Sequence, residues 1–267
     1  MTLQGFFATH PVFTHEELVA FLRTDKVRSP KTREALLAYH QQRGRILRVR
    51  RGLYCVVPPG ADPATCPVDA YLLAAKMTDD AVLAYHTALE FHGKAHSIFE
   101  ELQYLTSRAA RPLSFRSYRF RPVRFPKKLA VKDKPLFGVK EMDRAGLTVR
   151  VTTLERALVD VFDRPDLAGG WEEIWRSLES IEFFDLDVVV EYALLLDNST
   201  TAAKVGFFLE QHKERLMVDE HHLGRLRARR PREPHYLERG HRGGRLVSNW
   251  NLIVPAEVLD RSWADVA

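Results

Sequence analysis

Apolar residues recur at helical spacing at Leu3, Phe6 and Phe7, and again at Leu18, Phe21 and Leu22. That periodicity predicts two short amphipathic helices, the first ended by Pro11. Thr14 with Glu17 three residues on has the form of a capping box. Phe13 and Leu18 occupy the flanking positions of a hydrophobic staple. A further helix is predicted from Ser29-Pro30 to Arg43, stopped by Gly44. Serine is a good cap there, and proline is tolerated at a first helical position because its missing N–H has no intrahelical partner anyway. On this helix Thr32, Leu36, Tyr39 and His40 read as the inward face, with Lys31, Glu34 and Ala38 outward. From Arg45 to Val57 β-branched and aromatic residues flank Arg50-Arg51-Gly52, which predicts a hairpin.

Beyond the breaker cluster Pro58–Pro63 the pattern is helical over Val68–Met77 and Leu83–Phe91. Strands are predicted at Leu102–Leu105, Phe115–Phe120, Leu136–Val139 and Leu147–Val151. Prolines 112, 122, 126 and 135 keep them short. Helices return at Thr153–Phe162, Trp171–Ile181, Asp185–Leu196 and from Ser199 to about Leu216. Asp219–Arg232 and Gly240–Gly244 read as loose, and Val247–Val254 as a last strand.

Two capped helices separated by Thr24–Arg28 and followed by a hairpin have the spacing of a winged helix-turn-helix. The expected fold class is therefore α+β: an N-terminal winged helix-turn-helix, then a larger domain with a small mixed sheet and a helical C-terminal half. The expected boundaries are 1–58 for the winged module, 65–220 for the larger domain, and 221–267 for a basic extension packing on it.

Charge sharpens this reading. The net charge is +5, and residues 1–60 hold ten Lys/Arg against four Asp/Glu. A second basic run carries six arginines from Arg108 to Arg124, then Lys127, Lys128, Lys132 and Lys134. Residues Glu155 to Glu191 are acidic, and Arg225–Arg232 is basic again. A duplex binder gathers cations where phosphates sit. Helix N-termini direct amides at phosphate, recognition helices enter the major groove, and arginines on a hairpin tip suit the minor groove. The candidate DNA-binding residues are Arg28, Ser29, Lys31, Thr32, Arg33, Arg48, Arg50 and Arg51. A winged helix that binds protein is the alternative for this module.

Other function classes have little to stand on. No apolar run approaches the roughly 20 residues of a membrane span, and Met1–His10 lacks the basic start and apolar core of a signal peptide. A cytoplasmic protein is expected. The two cysteines, Cys55 and Cys66, form neither a disulfide framework nor a zinc pattern. His92 and His96 share i, i+4 spacing, but Gly93 interrupts the helix and no carboxylate sits at a ligand spacing, so His86, His92 and His96 read as structural. Arg156 and Asp160 at i, i+4 read as an ion pair, with Glu155 bonding to backbone or an arginine. A nuclease needs a strand-borne acidic pair with a nearby lysine, and Asp133, Glu141 and Asp143 are in no such motif. No catalytic residue, metal or cofactor is expected.

Several blocks resemble the AbiEi antitoxins, also described as predicted transcriptional regulators of viral defence. They begin with Val12-Phe13-Thr14-x-x-Glu17-Leu18, Ser29-x-x-Thr32, Gly44-Arg45-Ile46 and Arg48-Val49-Arg50-Arg51-Gly52-Leu53-Tyr54. Further along are Tyr85-His86-Thr87-Ala88-Leu89-x-x-His92-Gly93, Thr153–Asp160 followed by Gly169-Gly170, and Lys204–Leu209. The resemblance covers about residues 1–215. It implies a type IV toxin–antitoxin protein whose N-terminal domain binds double-stranded operator DNA, at inverted repeats in its own promoter, to repress its operon. The rest of the chain would neutralise a nucleotidyltransferase-like toxin, with or without direct contact. The alternatives are a winged-helix regulator without a toxin, and a DNA-binding nuclease.

Overall fold

The structure is a computed structural model that describes residues 2–23, 30–238, 240, 243–261 and 263. It is α+β and divides into two compact units. One comprises Met1–Leu83, Glu100–Pro122 and Glu141–Arg150, the other Ala84–Phe99, Val123–Lys140 and Val151–Ala267.

The first unit opens with α1 (Leu3–Thr9), β1 (Val12–Thr14), α2 (His15–Arg23), α3 (Pro30–Gln42), β2 (Ile46–Arg50) and β3 (Leu53–Val56). Thr2 caps α1. At the start of α2 the capping box is complete. Thr14 N–H donates to Glu17 Oε2 at 2.7 Å, and Glu17 N–H to Thr14 Oγ1 at 3.2 Å. The strands form an antiparallel sheet of order β1-β3-β2. Its backbone also receives the helices: His15 N–H donates to Gly52 O at 2.8 Å. Phe6, Phe13, Leu18, Leu22, Leu37, Ile46 and Tyr54 make one core. The Phe13 ring stacks on Tyr54 at 5.4 Å and meets Phe6 edge-on at 5.5 Å. Burying each such ring stabilises by roughly 1.5–3 kcal/mol.

The same unit continues through α4 (Ala70–Ala75), β4 (Val82–Leu83), β5 (Glu101–Thr106), β6 (Leu113–Phe115), β7 (Tyr118–Arg124), β8 (Val139–Arg144) and β9 (Leu147–Thr152). These strands make a six-stranded sheet of order β6-β7-β5-β4-β9-β8, larger than the small sheet expected. The strand expected over Phe115–Phe120 is a hairpin, because Arg116 adopts a left-handed φ of 56° and turns the chain. The strand expected at Leu136–Val139 begins only at Val139. Residues 134–138 instead form a turn, and Gly138 has a φ of 62°.

The second unit holds α5 (His86–Phe91), α6 (Lys127–Val131), α7 (Leu154–Asp163), α8 (Trp171–Glu179), α9 (Leu186–Leu195), α10 (Ser199–Gln211) and α11 (Glu220–Arg227). These are followed by β10 (His235–Tyr236), β11 (Arg245–Val247), β12 (Leu252–Val254) and α12 (Ala256–Asp260). Thr153, Asp185, Asn198 and Asp219 cap α7, α9, α10 and α11 through their side chains. Asp219–Arg232, expected to be loose, thus carries a capped helix whose Leu223 and Leu226 are buried. Mixed pairing occurs in the small sheet β10-β12-β11, where β10 runs parallel and β11 antiparallel to β12. Phe162, Trp171, Trp175 and Phe208 form an aromatic cluster with ring centroids 5.4–6.2 Å apart.

Two helical glycines are held for different reasons. A Cβ on Gly206 of α10 would lie 2.2 Å from the Trp250 ring, whereas one on Gly224 of α11 meets nothing within 4 Å. Trp250 is buried, and its Nε1 donates to Glu210 Oε2 at 2.7 Å. Gly206→Ala is therefore expected to lose about 1–3 kcal/mol to overpacking in spite of its better helix propensity. Gly224→Ala should gain up to about 1 kcal/mol. Urea denaturation of the two variants checks the opposite signs.

Candidate nucleic-acid interface

Of the eight residues expected to meet DNA, Arg28 and Ser29 lie outside the described residues, as does the connection 24–28. Lys31 and Thr32 are exposed on the first turn of α3. On that helix Leu36 and His40 face inward and Lys31, Glu34 and Ala38 outward, as expected, but Arg33 and Leu37 take the inward places expected for Thr32 and Tyr39. Leu37 and His40 are buried and Leu36 half-buried, while Tyr39 is 45% exposed. Arg33 falls on this inward side, half-buried, with its Nε enclosed and without a hydrogen-bond partner. Tyr39 stands outside with the Arg43 guanidinium 5.4 Å above its ring. This exposed cation–aromatic pair was not anticipated, although its i, i+4 spacing was visible.

The β2–β3 hairpin turns at Arg51-Gly52. Gly52 has a φ of 80° with open space around its Cβ position, so the backbone conformation, not crowding, calls for glycine. Val49 is the extra residue of a bulge between the Arg48↔Tyr54 and Arg50↔Leu53 pairs. Arg48, Arg50 and Arg51 are exposed residues, but their guanidinium groups do not behave alike. Arg50 Nη2 donates to the Met77 carbonyl at 2.6 Å and Nη1 to the Arg51 carbonyl at 3.2 Å. Arg50 therefore braces the hairpin.

Ion pairs neutralise part of the second basic run and part of the tail. Arg108 pairs with Asp79, Arg144 with Asp69, and Arg119 and Arg121 with Glu101. Lys128 pairs with Asp197 and Lys134 with Glu191. Lys132 donates to the carbonyls of Leu194 and Leu195, at the end of α9 where the helix dipole favours a cation. In the tail, Arg225 reaches Asp187, and Arg227 reaches Glu210 and Glu220. Basic residues of the second run and the tail thus fold onto acids, including the acidic helices of the second unit. Among the described residues none of the cations of residues 31–51 has a carboxylate partner, and neither do Arg111, Arg116 and Lys127 of the second run or Arg230 and Arg232 of the tail.

The other chemistry-bearing residues are tied into the fold. His86 is fully buried, with Nε2 2.9 Å from Glu173 Oε1. Its Nδ1 lies 2.9 Å from Glu90 Oε1 without hydrogen-bond geometry. His92 Nε2 meets the Thr152 carbonyl at 2.9 Å. Arg156 and Asp160 form the expected ion pair, fully buried, at 3.2 Å. Glu155 accepts the Asp185 amide at 3.4 Å. Cys55 and Cys66 are free, buried thiols, and burial pushes the Cys55 pKa up to about 11. Lys204 escaped the sequence reading, although a lone lysine in Ala202–Phe208 is a signal. It is buried, bonded to the Phe162 carbonyl at 3.3 Å and set over the Trp171 ring. Burial pulls its pKa down to about 8, against the pull of Asp163 and Glu238. No group of three or more His, Cys, Asp or Glu side chains fit to hold a metal occurs among the described residues. No helix there is long and apolar enough to cross a membrane.

Comparison with models of known families and with curated proteins finds no match to this chain.

Glu173 offers a test of the buried polar cluster. Its Oε1 accepts from His86, from the amides of His96 and Ser97 at 3.1 and 3.0 Å, and from Ser177 at 2.9 Å. Burial opposes the charged form, yet these bonds outweigh it and hold the pKa down at about 2, from an ordinary 4.5. The carboxylate therefore contributes stability that is present above the unfolded value and lost as pH falls through the folded one, about 3 kcal/mol in all. Glu173→Gln should be less stable at neutral pH, and the gap from wild type should shrink between about pH 5 and 2. Urea midpoints across that range measure it.

Proposed function

We propose that this protein is a sequence-specific DNA-binding repressor that controls its own operon and serves as antitoxin to a nucleotidyltransferase-like toxin. The carrying observation is the density of cations in residues 31–51, none of which has a carboxylate partner among the described residues. The element order α1-β1-α2-α3-β2-β3 and the sheet order β1-β3-β2 support the reading of this module as a winged helix-turn-helix. In it α3 is the recognition helix, with Lys31 and Thr32 on its exposed first turn, and the β2–β3 hairpin is the wing, carrying Arg48 and Arg51. Unpaired cations in such a module lower the free energy of a complex with phosphates by releasing counterions. The antitoxin half of the proposal rests on the residue blocks that resemble the AbiEi family. It assigns repression to the N-terminal module and toxin neutralisation to the remainder of the chain.

A mobility-shift titration on the DNA upstream of the gene, with random duplex as competitor, tests the repressor reading. Saturable binding that prefers this DNA and falls with salt is expected. Replacing Lys31, Arg48 or Arg51 by Ala should each lower the log–log salt slope by about one unit. Arg50→Ala should leave the slope nearly unchanged and lower the melting temperature instead, since its guanidinium is bonded to Met77. Equal affinity for random duplex would overturn self-repression. For the second half, expression of the chain should restore growth of cells making a nucleotidyltransferase encoded next to it, and should still do so with Arg48 and Arg51 replaced.

A further inference from the structure

The first unit carries a hollow of about 750 Å³, lined by Leu3, Phe7 and Ala8 of α1, by Pro11, by Val56 and Val57 at the end of β3, and by Pro58 and Pro59. That volume is in the usual range of small-molecule sites, about 300–1,000 Å³. Three polar side chains interrupt the apolar wall: Gln4 of α1, His40 from the last turn of α3 and Arg45 from the approach to β2. His40 is only 7% exposed, and its Nδ1 is enclosed without a hydrogen-bond partner. An atom so enclosed is out of reach of a molecule in the hollow, so His40 contributes ring surface to the wall rather than a polar contact. The Arg45 side chain is exposed, and no carboxylate pairs with it among the described residues.

An apolar hollow with one exposed, unpaired guanidinium on its wall complements a molecule with an apolar body and a single carboxylate. We infer that this hollow is a binding site for a small apolar carboxylic acid, its chain against Leu3, Phe7 and Val56 and its carboxylate on Arg45. The planar guanidinium fork matches the two carboxylate oxygens. His40 and Arg45 bracket the joint between α3 and β2, so occupancy is expected to change affinity for duplex. That consequence rests on the DNA-binding reading, whereas the site itself does not.

Isothermal titration of the full chain with decanoate, decanol and acetate tests the site without any DNA. The expected result is saturable binding of one decanoate per chain, at least about tenfold tighter than decanol, with acetate not binding measurably. Arg45→Ala should bring decanoate down to the decanol level, and Ala8→Trp, which fills the hollow, should abolish both. Arg45 is exposed, so its variant is expected to fold even if Ala8→Trp does not, and circular dichroism verifies each. Unsaturable uptake, equal affinity for decanoate and decanol, or decanoate binding unchanged in Arg45→Ala would each overturn the proposal. So would a concentration-dependent dimer, seen by sedimentation, that excludes decanoate, since the hollow would then belong to a second copy.

Discussion

A guanidinium with no access to water must find its partners inside the protein, and the second unit is arranged around that requirement at Arg156, which is met at Nε and Nη1 while Nη2 is left without a hydrogen bond. Its Nε pairs with Asp160 one turn along α7, and its Nη1 donates to the Phe137 carbonyl at 2.6 Å. Tyr192 of α9 donates its hydroxyl to the other Asp160 oxygen at 2.6 Å and lies under the guanidinium. Burial pushes the Asp160 carboxyl above its ordinary value, against the pull of Arg156 and Tyr192. Three segments distant in sequence, residues 137–138, α7 and α9, are thereby registered at one point. Removing one member of such a buried network leaves an uncompensated charge, which costs about 3–5 kcal/mol. Gly138 belongs to the same arrangement, since a Cβ there would lie 2.9 Å from Arg156 Cβ.

The first unit depends less on buried charge and more on aromatic packing and backbone closure. Phe6, Phe13 and Tyr54 seal the three-stranded sheet against its helices, and the Thr14–Glu17 box sets where α2 begins. Glu17 also meets Lys76, and Arg50 meets Met77, so the hairpin and the start of α2 are both braced on the end of α4. The hairpin arginines differ in their bonding: Arg50 is held by backbone carbonyls, whereas Arg48 and Arg51 have no carboxylate partner among the described residues. Pairing is worth little to stability at an exposed site, but it decides which positive charges a partner meets.

Elements set by local chemistry were legible in the chain. The Thr14 capping box, the Gly52 turn, the Gly44 stop and the helix starts at Thr153 and Asp185 involve atoms within a few residues of one another, so spacing alone exposes them. The i, i+4 pairing of Arg156 with Asp160 was legible for the same reason. Where the reading slipped, short-range pattern was ambiguous. On α3, Thr32 and Tyr39 satisfy a helical stripe as well as Arg33 and Leu37 do, and only packing against the core chose the latter. Phe115–Phe120 alternates like one strand, yet Arg116 takes a turn conformation that sequence-local rules disfavour for arginine.

By itself, then, the sequence determined most helix starts and stops, though not α11, together with the hairpin turn, the α+β class and the concentration of positive charge in residues 1–60. Only the tertiary structure decided which of those charges remain unpaired, that Arg50 is bonded to Met77, and that His40 and Arg45 share an apolar hollow with α1. The physical reason is range. Capping and turn preferences act between neighbours along the chain, whereas charge neutralisation, burial and cavity formation depend on groups that meet only when distant segments pack.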